Sequence, residues 1–154
     1  VAAYPMYRGL AQLIGMEILE TGESFGDELD TLEKNFEAHD FFFLHYKPAD
    51  AAGEDGDFGA KVKALEALDS YIPRLRYLGA ETLVVAGDHS TPSIMSSHSW
   101  HPVPLLIHSS LTGNEGISSF CEKECAKGSI GRIQATSVMA LILANAGKLL
   151  KFGP

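Results

Sequence analysis

The stretch LVVAGDHSTPSIMSSHSWHPVPLLIH, Leu83 to His108, constrains this chain more than any other. A short apolar, β-branched run, Thr82 to Ala86, stops at Gly87, and Asp88 and His89 follow at once. The pattern predicts a buried strand that delivers an acid and an imidazole at its carboxyl end. Loops at that edge of open α/β sheets are free to carry ligands and catalytic groups. His98 then precedes a second predicted strand, Val103 to Ile107. One carboxylate and two imidazoles on a single loop form the donor set of half a metal site.

The preceding segment supplies more acids. Phe41 to Tyr46 is a continuous apolar run, read as a central strand covered on both faces, and Lys47-Pro48 ends it. Ala49 to Asp57 follows with four acids and two glycines. In isolation such a stretch is a solvated turn, but its place after a buried strand singles out Asp50. Asp57 caps a helix whose apolar stripe runs Phe58, Val62, Leu65, Leu68, Ile72, Leu75. Pro73 is expected to kink or shorten its last turns, and Gly79 to end it. Strand, helix, strand then reads as a βαβ unit in a parallel sheet, with Asp50 and Asp88 on the same sheet edge. His45, on the first strand, reads by default as a hydrogen-bonded core histidine.

The rest is mostly framework. Val1 to Tyr4 is strand-like, and Met6 to Glu17 has helical spacing. Arg8 lies on the first turn of that helix, where a phosphate would meet its charge and the free amides; an exposed surface arginine is the commoner reading. Asp27 is the expected cap of a helix through Leu29, Leu32 and Phe36 that closes at His39 and Asp40. Ser109 to Gly116 reads as a polar loop, Ile117 to Lys127 as a short helix, and Thr136 to Ala146 as a buried packing helix. Cys121 and Cys125 read as reduced thiols of a cytoplasmic protein, with no role assigned. Twelve Lys and Arg against 20 Asp and Glu give a net charge of −8. That balance argues against nucleic acid or an anionic membrane as partner, and no apolar run approaches the roughly 20 residues of a membrane span.

HYKPADAAGEDGD, then VVAGDHSTP, then SHSWHPVPLLI resemble the carboxyl-terminal half of a cofactor-independent phosphoglycerate mutase of the archaeal type. That family belongs to the alkaline phosphatase superfamily of metalloenzymes. The opening AYPMYRGLAQLIGMEI and the closing MALILANAGKLLKFG resemble it too, so the likeness covers nearly the whole chain. It implies a three-layer α/β sandwich with a mainly parallel central sheet, and two divalent metal ions. Asp50, His98 and the residue four after Asp50 would hold the first ion. The family carries a histidine at that middle position; here it is Glu54, which either offers an oxygen, favouring Mg²⁺ or Mn²⁺ over zinc, or stands aside. Asp88 and His89 would hold the second ion. Lys47 and Arg8 are candidates for the anionic groups of a small phosphorylated substrate.

The family's amino-terminal Asp-Gly motif and nucleophilic Ser or Thr have no counterpart in these residues. The expectation is therefore a carboxyl-terminal portion of a longer enzyme, inactive alone, with the remainder of its own polypeptide as partner. Two other readings stay open: a phosphotransferase or phosphatase of the same superfamily, and a non-catalytic α/β module, which the glutamate at position 54 favours.

Overall fold

The computed structural model describes residues 1–113 and 116–149. Asn114 of the predicted loop and the end of the closing tract, from Leu150 on, lie outside the described residues.

Helix α1, Pro5–Leu13, begins with proline at its first turn, where the missing N–H costs nothing. It stops short of the expected Glu17 because the chain turns at Gly15, whose φ is +81°. Helix α2, Phe25–Asn35, is closed by a capping box. Ser24 Oγ accepts the Asp27 N–H at 3.1 Å, and the Asp27 carboxylate accepts the Ser24 N–H at 3.0 Å. The cap is therefore Ser24, and Asp27 is the reciprocal third residue of the box. A 3-10 turn, Phe36–Ala38, continues from α2.

The acidic stretch after Lys47 is not a loop. Pro48 to Glu54 forms helix α3, again with proline at its start. Its alanines favour the helix, and Gly56 breaks out of it at φ +70°. Asp57 caps helix α4, Phe58–Tyr77, by accepting the Ala60 N–H at 2.8 Å. Pro73 lies within α4 without ending it; Gly79, at φ +72°, follows as expected. Helices α3 and α4 pack against each other.

Strands β1, Thr82–Ala86, and β2, Leu105–Ser109, pair antiparallel, with Thr82 opposite Ser109 and Ala86 opposite Leu105. Strand β2 starts two residues later than expected, past Pro102 and Pro104, which have no N–H to give a ladder. The expected parallel βαβ unit is absent among the described residues. Residues 41–46 belong to no ladder there, so β1 has β2 as its described neighbour. Phe41 and Phe43 are exposed there, so the expected burial on both faces is not met among the described residues either.

Only one helical turn, α5 (Glu122–Cys125), forms in the 117–127 stretch. Helix α6, Val138–Asn145, sits against β1, and Ser109 Oγ donates to Asn145 Oδ1 at 3.3 Å. It is less covered than its composition suggests, with Met139 and Leu143 exposed.

The most deeply buried large side chain is Leu29 on α2, at 0% exposure. Leu29→Ala should cost about 2–5 kcal/mol, read as a fall in the denaturant midpoint at constant slope. Its neighbour Glu28 is 2% exposed. Burial lifts its carboxyl above the ordinary glutamate range, only partly offset by the Ala3 N–H that it accepts at 2.7 Å. A raised folded-state pKa gives stability that is complete below the unfolded value of about 4.3 and is lost as pH rises through the folded value. Glu28→Gln should therefore raise the unfolding temperature at neutral pH and change it little below pH ~4. Equal shifts at both pH values would contradict this account.

Candidate metal centre

Three pieces of chain bring the singled-out side chains together. Asp50 and Glu54 stand four residues apart on α3 and so share a face. Asp88 and His89 follow β1 directly. The loop beyond them is pinned by an isolated bridge, where the Ser99 N–H donates to the Ser90 carbonyl at 2.8 Å. That bridge returns His98 to His89, their ring centroids 3.9 Å apart.

Asp50 Oδ1 lies 3.7 Å from His89 Nδ1 and 3.8 Å from His98 Nε2. Asp50, His89 and His98 each offer a donor atom within 4.8 Å of the others. Glu54 Oε1 is 3.3 Å from His98 Nε2, so the acid at the variant position faces the same histidine. Asp88 Oδ2 is 3.5 Å from His89 Nε2, and Asp88 Oδ1 accepts the His89 backbone N–H at 2.9 Å. The expected nearness of Asp50 and Asp88 is thus mediated by His89, which stands beside both.

Of the two basic residues, Lys47 joins the cluster and Arg8 does not. The Lys47 ammonium donates to Asp50 Oδ2 and sits 3.5 Å from Glu54 Oε2. Arg8 is paired with Glu20 at 2.8 Å. Its helix nevertheless reaches the site through the preceding residue. Tyr7 donates its hydroxyl to Asp88 Oδ2 and stacks on His45, centroids 3.6 Å apart. Neither Tyr7 nor Thr91 is singled out by sequence. Thr91, 4% exposed, donates its hydroxyl to Asp50 Oδ1 at 2.5 Å and meets His89 Nδ1 at 3.1 Å. The signal for it was its place inside the Asp-His-Ser-Thr-Pro run, with a short polar side chain two residues past a histidine.

Burial pushes the Asp50 carboxyl up, but the hydrogen bonds from Lys47 and Thr91 and the Lys47 charge outweigh it, leaving its pKa below the usual range. Asp88 is likewise held low against its own burial, by the Tyr7 hydroxyl, His89 and the His89 amide. Burial and Asp88 together raise the Tyr7 hydroxyl. Burial lowers His45, whose Nδ1 is shielded from solvent without a hydrogen-bond partner.

Two ionised carboxylates, a glutamate and two imidazoles are oxygen and nitrogen donors suited to a divalent ion. Cys121 and Cys125 are free thiols outside the group. The side chains present fit a metal centre, and Lys47 supplies cationic charge to the same carboxylates.

The fold and this site define a class. Residues 14–145 match the model of the Metalloenzyme superfamily, and the chain belongs to that family. It is 53% identical over 153 residues to a protein of Thermotoga petrophila named probable 2,3-bisphosphoglycerate-independent phosphoglycerate mutase. Proteins of the same name from Aquifex aeolicus and Thermus thermophilus are 47% and 44% identical. Each match takes in 99% of this chain but 38% of the relative, so the chain spans well under half their length. Among solved structures, the PH0037 protein from Pyrococcus horikoshii superposes with a TM-score of 0.92 at 29% identity, over 100% of this chain and 50% of that one.

The loop that carries His89 and Thr91 is seated directly on α3. A Cβ placed on Gly53 would overlap the Thr91 carbonyl oxygen and lie 3.0 Å from Thr91 Cγ2. Gly53 occupies an ordinary helical position, where alanine would normally gain about 1 kcal/mol. Here Gly53→Ala should instead destabilise by about 1–3 kcal/mol, because the clash is with backbone. Thermal unfolding of the variant checks the sign; a stabilised variant would mean that the helix and loop are not in close contact.

Proposed function

We infer that this chain is the carboxyl-terminal, metal-binding portion of a cofactor-independent phosphoglycerate mutase. The full polypeptide would interconvert 3-phosphoglycerate and 2-phosphoglycerate through a phosphorylated enzyme hydroxyl that lies outside these residues. The observation that carries the reading is the convergence of Asp50, from α3, with His89 and His98, from the loop between β1 and β2. The relatives' names support the substrate, and the share of their length left unmatched supports a role for the rest of the polypeptide in completing the site.

Asp50, His98 and Glu54 are the residues to hold one divalent ion, Mg²⁺ or Mn²⁺ before Zn²⁺, and Asp88 with His89 those to hold a second. Two such ions would lower the pKa of the attacking hydroxyl and neutralise phosphoryl charge. Asp50 and Asp88 arrive ionised, so neither has to lose a proton to serve. Lys47 would hold the substrate's anionic groups once released from Asp50 and Glu54, and Arg8 would add a second cation on leaving Glu20. Around this edge the complete enzyme would carry the three-layer sandwich with a mainly parallel sheet, in which residues 41–46 find their strand partner.

Titration calorimetry with Mn²⁺ tests the site on the chain itself. Asp50→Asn and His98→Ala should each weaken binding by at least tenfold, whereas His108→Ala, on β2, should leave it unchanged. Equal binding by all variants and the parent would remove the ligand assignment. On the full polypeptide, isomerisation of 3-phosphoglycerate should exceed activity on other phosphomonoesters, and the chain alone should have neither. Turnover of another phosphate ester without isomerisation would move the protein to a different phosphotransferase.

A further inference from the structure

Thr91 holds more of this site together than its size suggests. Its carbonyl oxygen accepts the Lys61 ammonium from α4 at 2.5 Å, and its backbone lies against Gly53 of α3. The residue is therefore fixed from two helices before its side chain makes any contact. The hydroxyl then meets two groups of the metal centre, Asp50 Oδ1 at 2.5 Å and His89 Nδ1 at 3.1 Å.

A hydroxyl has one proton to give and lone pairs to accept with, whereas an ionised carboxylate only accepts. The Thr91 proton must therefore go to Asp50. The contact with His89 is then satisfied in one way only, with Nδ1 carrying the ring proton and donating it to Thr91 Oγ1. That leaves Nε2 as the only imidazole lone pair His89 can offer a cation, and Nε2 is the nitrogen 3.5 Å from Asp88 Oδ2.

We propose that Thr91 is a positioning residue that locks His89 in the Nδ1–H tautomer and thereby commits it to the ion beside Asp88, while orienting Asp50 toward His98. The proposal rests on the metal-site reading above and deepens it. His89 stands close enough to Asp50 and His98 to join either group, and the Thr91 hydroxyl decides between them. A ring nitrogen that donates to an outer partner while its other nitrogen faces the metal is the usual way such ligands are oriented. The outer partner here is a neutral hydroxyl that is itself anchored on the neighbouring centre's carboxylate. One chain of two hydrogen bonds thus joins the two halves of the site.

The test has two arms. In the first, long-range ¹H–¹⁵N spectra of the metal-free parent chain, recorded where His89 is neutral, should show the Nδ1–H tautomer. In Thr91→Val that preference should be lost, and in Thr91→Ser it should return. In the second, Mn²⁺ calorimetry should show affinity reduced about 10–100-fold in Thr91→Val and restored to within a few-fold in Thr91→Ser. A residue that only filled space would be replaced well by valine, which has the shape of threonine without its hydroxyl. An Nε2–H tautomer in the parent, or a valine variant that binds Mn²⁺ as tightly as the serine variant, would overturn the proposal. A parent that binds no Mn²⁺ would instead sink the metal-site reading, and the tautomer spectra would still decide what Thr91 does to His89.

Discussion

Three carboxylates cannot be gathered into one cluster without positive charge or hydrogen-bond donors among them. Two unit charges 4 Å apart repel by about 4 kcal/mol at the effective dielectric of a protein surface. In this chain Asp50, Glu54 and Asp88 converge, and the compensation is distributed. Lys47 lies between Asp50 and Glu54, Thr91 takes one oxygen of Asp50, and Tyr7 takes one oxygen of Asp88. These donors more than offset burial, so both aspartates remain ionised. An arriving divalent ion would exchange for the Lys47 ammonium rather than for protons. Among the described residues, Asp50 and Glu54 are the lysine's only ion-pair partners.

How the cluster is assembled explains which parts could be read from sequence. Short-range signals carried well: Asp57 caps α4, Gly79 ends it, and β1 falls on Thr82 to Ala86 with Asp88 and His89 directly behind. Local competition was harder to read. Ser24 and Asp27 are both good caps, and only the reciprocal hydrogen bonds decide that Ser24 has the role. The stretch Ala49 to Asp57 looked like a turn because acids and glycines dominate it. Pro48 and the alanines nevertheless start a helix, and that helix sets Asp50 and Glu54 on one face. Non-local pairing was not legible at all. Nothing in an apolar run states whether its neighbour runs parallel or antiparallel, and β1 meets β2 by returning through the histidine loop. Thr91 and Tyr7 were missed for a related reason. Each acts through one hydroxyl, and a hydroxyl acquires meaning only when the fold shows what lies beside it.

The distribution of apolar side chains separates what this chain organises alone from what it leaves open. Its accessible surface is 10444 Å², whereas a folded monomer of its mass would expose about 7,600 Å². The excess is roughly 2,800 Å². Met6, Leu10, Leu13 and Ile14 of the α1 region account for part of it, and so do Phe58, Val62 and Leu65 along α4. These are the apolar stripes that the helical spacing of the sequence requires to be covered, and the described residues do not cover them. The site cluster, by contrast, is built from long-range contacts that tie α1, α3 and α4 to the loop after β1. Its hydrogen bonds close among the described residues, whereas the flanking apolar faces stay exposed there. The Thr91 contacts all lie within this chain, which is why its effect on His89 should be measurable on it.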